Sequence, residues 1–171
     1  MTRFYVIDTN VLLDASAVNN HCLHVSPDNP DLCELAYAWL SRFANSDDVL
    51  VMDNQGRIEE EYEHKLDYND FGRQVVRQKW NRGQVLSVDL LYDDEGYAYL
   101  EEPLATVVHD HSDRKLVAAA LEALKRGPCQ IVNAADTDWY DWLDELHKNG
   151  IEVLQLLPGW SHDKWLEKKH P

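Results

Sequence analysis

The chain has 171 residues, of which 44% are hydrophobic, which is ordinary for a single globular domain with its own core. Its formal net charge of −15 at pH 7 argues against a protein that coats nucleic acid with its whole surface, because the phosphate backbone is also negative. No apolar stretch approaches the roughly 18 residues of a membrane helix. The three cysteines lack CxxC spacing, which favours reduced thiols in the cytoplasm and disfavours structural zinc.

The first predicted strand is a short apolar run that ends at an acid. Residues 4–7 are apolar or aromatic, and Asp8, Thr9 and Asn10 follow them directly. Such a run is typical of a strand in a parallel sheet that helices cover on both faces. Ligands of these sheets bind outside the carboxyl ends of the strands, so Asp8 is the first candidate site residue. The same polar residues also suit a turn and a helix N-cap, and this stretch alone leaves both interpretations open.

Between the first two strands the sequence predicts two helices separated by a loop. Residues 11–15 continue into a short helix, and residues 19–30 are rich in Asn, Asp and Pro, which is typical of a loop. Asp31 is the predicted N-cap of the second helix, in which apolar residues recur at helical spacing as far as Phe43.

A second apolar strand, residues 49–52, also ends at an acid. That acid, Asp53, is the predicted cap of a helix over residues 54–65. A helix over residues 70–82 follows and is the most basic element of this acidic chain. Its cations suit either ion pairs with local acids or a patch that tracks phosphates beside a site. They are Arg73, Arg77, Lys79 and Arg82.

The helix over residues 54–65 carries several glutamates, and most of them should face solvent. Ile58 and Tyr62 share one side of this helix with Glu61 and should face the core. We therefore expect Glu61 to lie close to the rim of the sheet. Glu59 and Glu60 remain alternatives for that position.

The second half of the chain continues the alternation of strands and helices. Residues 85–92 predict a third strand, and residues 93–105 predict an acidic surface loop or short helix. Ser112 or Asp113 then opens a helix that stops at Gly127 and Pro128. The remaining predicted elements are a strand over 129–133, a helix over 139–148, a strand over 151–157 and a tail over 158–171 of uncertain order.

This order of elements predicts an α/β fold with three layers, α/β/α, and a mainly parallel central sheet. The predicted domain covers residues 1–157. Trp139 and Trp142 are predicted core residues, whereas Trp160 and Trp165 in the tail suit packing, a dimer contact or stacking on bases.

Acids recur at equivalent places in this pattern, just past strands or at helix starts. Such positions meet at one rim of a parallel sheet, where the carboxylates would repel one another. Mg²⁺ or Mn²⁺ suits a few carboxylates together with waters and phosphates, and two such ions can promote phosphodiester cleavage. The acids at these positions are Asp8, Asp113, Asp136 and Asp138, and Glu61 joins them from within an early helix.

Four segments together resemble the PIN-domain nucleases, in their order and spacing. They are Val6–Leu13, Asp53–Tyr62, Ser112–Leu116 and Asn133–Trp139. The resemblance spans roughly residues 3–157 and implies the PIN-like fold and cleavage of single-stranded RNA, in some relatives DNA, with Mg²⁺ or Mn²⁺. One departure is Ala135, where many relatives carry Gly or a hydroxyl residue.

The resemblance also implies roles for individual residues. The catalytic, metal-binding acids would be Asp8, Glu61, Asp113 and Asp136. Asp138 would be an auxiliary metal ligand, and Thr9 or Asn10 would orient Asp8 or a bound water.

The leading expectation is therefore a metal-dependent endoribonuclease. A DNA nuclease on the same scaffold and a non-catalytic module that binds RNA or protein are the alternatives. Many PIN proteins are toxins, so a protein inhibitor is among the partners that the resemblance admits. His109 and His111 flank the Asp113 segment, either as loop residues with ordinary hydrogen bonds or as contacts for substrate phosphate.

Overall fold

The computed structural model describes residues 1–171, and its centre is one sheet of five parallel strands in the order β3-β2-β1-β4-β5. The strands are β1 (Phe4–Ile7), β2 (Val49–Asp53), β3 (Val85–Val88), β4 (Cys129–Asn133) and β5 (Glu152–Gln155). This arrangement confirms the predicted α/β fold with a parallel sheet.

Eight α-helices flank the sheet, and one 3₁₀ turn, His111–Asp113, precedes the sixth. The helices are α1 (Thr9–Ala17), α2 (Pro30–Ala44), α3 (Arg57–Lys65), α4 (Phe71–Asn81), α5 (Leu104–Val107), α6 (Arg114–Leu124), α7 (Asp138–Lys148) and α8 (Pro158–Lys169). The strand order runs outward from β1 in both directions along the chain. Right-handed crossovers therefore place α1 to α4 on one face and α6 and α7 on the other, which gives three layers.

The central strand β1 is buried because it pairs with β2 on one side and β4 on the other. Val6 and Ile7 are fully enclosed within a core of 39 residues. In the register of the sheet Ile7 pairs with Val132, so the segments that follow β1 and β4 leave the sheet side by side. Trp139 and Trp142 belong to the same core, as predicted.

The capping residues of α2 and α3 differ from the prediction. The N-cap of α2 is Asn29, whose side chain accepts hydrogen bonds from the N–H groups of Asp31 and Leu32 at 3.0 and 3.2 Å. Asp31 was the wrong choice because Pro30 takes the first helical position, for which its fixed φ is well suited. The N-cap of α3 is Gly56 and not Asp53, because the helix starts three residues later than predicted. The Asp53 carboxylate still accepts the N–H groups of Arg57 and Ile58 at 3.0 and 2.9 Å.

The cations of α4 are engaged within the fold, mostly by backbone carbonyls. Lys79 is fully buried, and its Nζ donates to the carbonyls of Ser46 and Asp48 at 3.1 and 2.7 Å. Arg82 donates to the carbonyl of Ala44 at 2.9 Å. Backbone carbonyls are therefore the partners of most of these cations, in place of the expected acids. Through these bonds Lys79 and Arg82 link the end of α4 to the segment before β2.

The C-terminal segment is a helix packed against α7. In α8, Trp165 stacks on Tyr140 with ring centroids 5.8 Å apart, and its Nε1 donates to Asp141 at 2.9 Å. Trp160 packs against the core. Both tryptophans therefore serve packing within the chain. No helix of the protein combines the length and the apolar character needed to cross a membrane.

A candidate metal centre at the carboxyl end of the sheet

Three carboxylates from separate segments converge where the parallel strands end. Asp8 follows β1, Asp113 closes the 3₁₀ turn before α6, and Asp136 lies in the loop after β4. One oxygen from each lies within 4.8 Å of the other two. Asp8 and Asp113 are buried, with 6% and 8% of their surface exposed, and Asp136 is half-buried. The tertiary structure therefore brings together three of the five acids that the sequence predicted for the site.

The electrostatics of this cluster oppose full ionisation. Burial raises the pKa of Asp8 above its ordinary value, and the neighbouring charges of Asp136 and Glu61 raise it further. Burial also raises the pKa of Asp113, with added repulsion from Asp8 and Asp136. Three carboxylates in so small a space need protons or a cation, because each charge is desolvated and faces two others.

Asp8 is held in place by Trp139. The indole Nε1 of Trp139, which is fully buried, donates to Asp8 Oδ2 at 2.7 Å. This hydrogen bond fixes one oxygen of Asp8 and partly offsets the rise in its pKa. The sequence predicted Trp139 only as a core residue, although a buried indole N–H generally requires an acceptor and so signalled a polar partner.

Glu61 stands beside this cluster and not within it. Thr9 Oγ1 donates to Glu61 Oε2 at 2.5 Å, and Lys115 Nζ lies 3.3 Å from Glu61 Oε1. Thr9 therefore orients Glu61, and not Asp8 or a water as the resemblance implied. Among the alternatives, Glu60 is exposed and pairs with Arg57 at 3.8 Å, and the charges that act on Glu59 are those of Glu63, Arg73 and Asp53. The geometry therefore favours Glu61, whose charge acts on Asp8.

Asn10 fastens the loop that carries Asp136. Its Oδ1 accepts hydrogen bonds from the N–H groups of Ala134 and Ala135 at 2.8 and 3.0 Å, and its Nδ2 donates to Asn133 Oδ1 at 3.0 Å. Asn133 in turn donates to the carbonyl of Asp136 at 2.7 Å. These bonds join the segments after β1 and β4. The side chain of Asn10 therefore holds the loop, while its backbone N–H hydrogen-bonds to the carboxylate of Asp8 and lowers the pKa of that group. The sequence predicted no role for Asn133.

The carboxylate of Asp138 does not join the three-acid cluster. Its backbone N–H donates to Asp136 Oδ1 at 2.9 Å, which helps to orient Asp136. Its side chain instead belongs to a second group with His109 and Asp141, whose possible ligand atoms lie within 4.8 Å of one another. Within that group, Asp141 already accepts hydrogen bonds from Trp165 and Lys169.

The donor set of the three-acid cluster suits a hard divalent cation. Its ligands are carboxylate oxygens, with no thiolate or imidazole among them. Mg²⁺ and Mn²⁺ prefer such oxygens, and the unrelieved repulsion within the cluster is what a bound cation would remove. Asp8, Asp113 and Asp136 could hold such an ion, with Glu61 next to them.

The chain matches no model of a known protein family, no curated protein and no solved structure in the three comparisons made. A functional assignment for this protein therefore rests on the residues of the site and their geometry.

Proposed function

We propose that this protein is a Mg²⁺- or Mn²⁺-dependent nuclease that hydrolyses phosphodiester bonds of single-stranded RNA. The supporting observation is the convergence of Asp8, Asp113 and Asp136 at the carboxyl end of a parallel sheet. A buried cluster of like charges is costly, and a fold gains little from it unless a cation and an anionic substrate complete the site. The choice of RNA follows the resemblance to PIN-domain nucleases.

The chain's own residues would prepare this chemistry by fixing the carboxylates in advance. When bound, the metal ion would promote ionisation of a water molecule and stabilise charge on the phosphate oxygens. Trp139 holds one oxygen of Asp8, and the backbone N–H of Asp138 holds one oxygen of Asp136. Lys115 balances the charge of Glu61, and Thr9 fixes its direction. Preorganisation of this kind lowers the cost of ordering ligands during the reaction.

The decisive experiment compares the wild-type protein with the Asp113→Asn variant on labelled single-stranded RNA and DNA. We expect the wild type to cleave RNA with Mn²⁺ and not with EDTA, and the variant to lose at least about 100-fold in rate because a charged ligand is gone. Gel analysis of the products measures cleavage. Preferential cleavage of DNA would change the substrate class. Equal cleavage by both proteins, or in EDTA, would contradict the proposal.

The stability of the same variant separates a metal site from a structural role. The pKa of Asp113 is raised in the folded state, so wild-type stability falls as the pH rises above the ordinary aspartate range. Without metal, we expect Asp113→Asn to be more stable than the wild type by about 1 kcal/mol or more at pH 7.5. Urea unfolding in EDTA measures this difference.

Addition of Mn²⁺ should make the wild type more stable than Asp113→Asn, because binding stabilises only the protein that holds the ion. We expect the melting temperature of the wild type to rise with Mn²⁺ concentration until it saturates, and that of Asp113→Asn to stay nearly constant. Strong destabilisation of the variant in EDTA would instead indicate that Asp113 is structural.

A further inference from the structure

We propose that a cavity of about 200 Å³ beside the carboxylate cluster binds one nucleotide of the single-stranded substrate, its base against Tyr97 and its phosphate at Arg57 and Lys115. The cavity is also lined by His111 and Ser112, and Ser112 directly precedes Asp113. This inference deepens the proposed nuclease function by naming the surface that would position the chain to be cut.

The cavity is connected to the candidate metal centre through one lysine. Lys115 lines the cavity, and its Nζ lies 3.3 Å from Glu61 and 2.6 Å from the carbonyl of Ser112. Glu61 is bonded to Thr9, the residue after Asp8. A nucleotide in the cavity would therefore lie next to the Lys115–Glu61 pair and to Ser112, the residue before Asp113, so that the adjoining phosphodiester could reach the carboxylates.

The cations of this cavity are unusual in a chain with a net charge of −15. Arg57 has one acidic partner, Glu60, at 3.8 Å, and both side chains are half exposed. An exposed pair of this length contributes little, so the guanidinium is free to contact a phosphate. Glu60 also lines the cavity and disfavours anions, but its flexible side chain can turn towards solvent.

The aromatic wall of the cavity, formed by Tyr97 and His111, is held in position by contacts within the protein. The ring of Tyr97 lies edge-to-face with the ring of His111, with centroids 5.3 Å apart. The loop that carries Tyr97 is closed by a bridge between Tyr92 and Ala98, and Asp93 Oδ1 accepts the N–H of Tyr97 at 2.9 Å. A half-buried aromatic ring beside two cations is the combination that binds single-stranded nucleic acid, because bases stack on rings while phosphates pair with cations.

The chain offers a matched control two residues further along the same loop. Tyr99 is 60% exposed and lines a different cavity, together with Leu91 and Leu104. Substitution of either tyrosine removes one aromatic ring from the same loop. Of these two tyrosines, only Tyr97 lines the cavity next to the carboxylates.

The test measures binding of a fluorescein-labelled single-stranded oligouridylate by fluorescence anisotropy. Asp113→Asn with Mn²⁺ serves as the parent, because it should not cleave the probe. We expect Tyr97→Leu in this parent to weaken binding about tenfold, as for loss of one stacked base. Tyr97→Phe, which keeps the ring, and Tyr99→Leu should both bind as the parent does. An abasic oligomer should bind equally to the parent and to Tyr97→Leu.

A second pair of variants tests the cations without altering the aromatic wall. Arg57→Gln should weaken binding severalfold. Arg126→Gln, which changes an exposed arginine two residues after the end of α6, should not weaken it. Melting temperatures identify any variant that fails to fold. If Tyr97→Leu fails to fold, the comparison of Arg57→Gln with Arg126→Gln tests the nucleotide site in its place.

The inference is overturned if the parent does not bind the oligomer, if Tyr97→Leu and Arg57→Gln bind normally, or if Tyr99→Leu weakens binding as much as Tyr97→Leu. These results are separate from the outcome for the proposed function. Cleavage by the wild type with no effect of the cavity variants rejects the nucleotide site alone. Binding that depends on Tyr97 without cleavage by the wild type rejects the nuclease and retains the nucleotide site.

Discussion

At the scale of single residues, Asp14 is a buried acid that lies outside the candidate metal centre. Only 1% of its surface is exposed, and its Oδ2 has no hydrogen-bond partner. Burial raises its pKa to about 8. The folded protein therefore keeps a proton on Asp14 at neutral pH, whereas the unfolded chain releases it near the ordinary value of 3.8. Because the unfolded state binds fewer protons in this interval, stability falls as the pH rises from about 4 to about 8.

We expect Asp14→Asn to remove this loss of stability. The variant should gain about 1–3 kcal/mol in free energy of unfolding at pH 8, less than the full linkage because the amide is also buried without a partner. The gain should disappear near pH 4, where the wild-type side chain is neutral in both states. Urea unfolding of both proteins across this range measures the difference.

The exposed Asp144 on α7 provides the control for that experiment, because Asp144→Asn changes the same charge at the surface. It should alter stability by less than about 0.5 kcal/mol at any pH. A constant difference between Asp14→Asn and the wild type from pH 4 to 8 would show that Asp14 is not the titrating group.

At the scale of elements, α1 and α4 cross closely because Gly72 has no side chain. A Cβ atom at Gly72 would lie 2.7 Å from Leu12 Cβ and 3.0 Å from the Leu12 carbonyl oxygen. The backbone N–H of Gly72 also donates to Ser16 Oγ in α1 at 2.8 Å. The contact thus fixes α4 against the helix that follows Asp8.

We expect Gly72→Ala to destabilise the protein by about 1–3 kcal/mol, because the two helices must separate to admit the methyl group. Gly159→Ala in α8 is the matched control, since a Cβ there meets no atom within 4 Å. That variant should be neutral or gain up to about 1 kcal/mol from the smaller entropy of its unfolded chain. Chemical denaturation measures both, and equal effects at the two sites would contradict the packing argument.

At the scale of the whole molecule, the net charge of −15 limits how nucleic acid can bind. Long-range attraction is absent, so the proposed binding of nucleic acid would come from a few local contacts beside the candidate site. With the two proposed phosphate contacts, at Arg57 and Lys115, the logarithm of the binding constant should fall with the logarithm of salt concentration with a slope of about −1.4.

Anisotropy titrations at several NaCl concentrations measure this slope. A protein that covers single strands with a basic surface and makes 6–10 contacts would give a slope of about −4 to −7. A slope in that range would contradict the local mode of binding inferred for this chain.

Part of the candidate site could be predicted from the sequence, because the patterns that indicate it involve neighbouring residues. A run such as residues 4–7 followed by Asp8 marks both a buried strand and the acid at its end. The hydrogen bond from Trp139 to Asp8 could not be predicted from the sequence, because the two residues lie 131 positions apart in the chain. Asp138 shows the same limit, since its position two residues after Asp136 does not determine which cluster its carboxylate joins.

The sequence by itself determined the alternation of strands and helices, and so the parallel sheet and the rim at which the acids lie. Periodicity and capping are properties of neighbouring residues, and they act before any distant contact forms. Only the tertiary structure decided that β1 lies between β2 and β4, which brings the segments after β1 and β4 together. It also decided that Asp8, Asp113 and Asp136 share one cluster while Glu61 stands beside it. Strand order and side-chain direction depend on packing between distant segments, which no local pattern encodes.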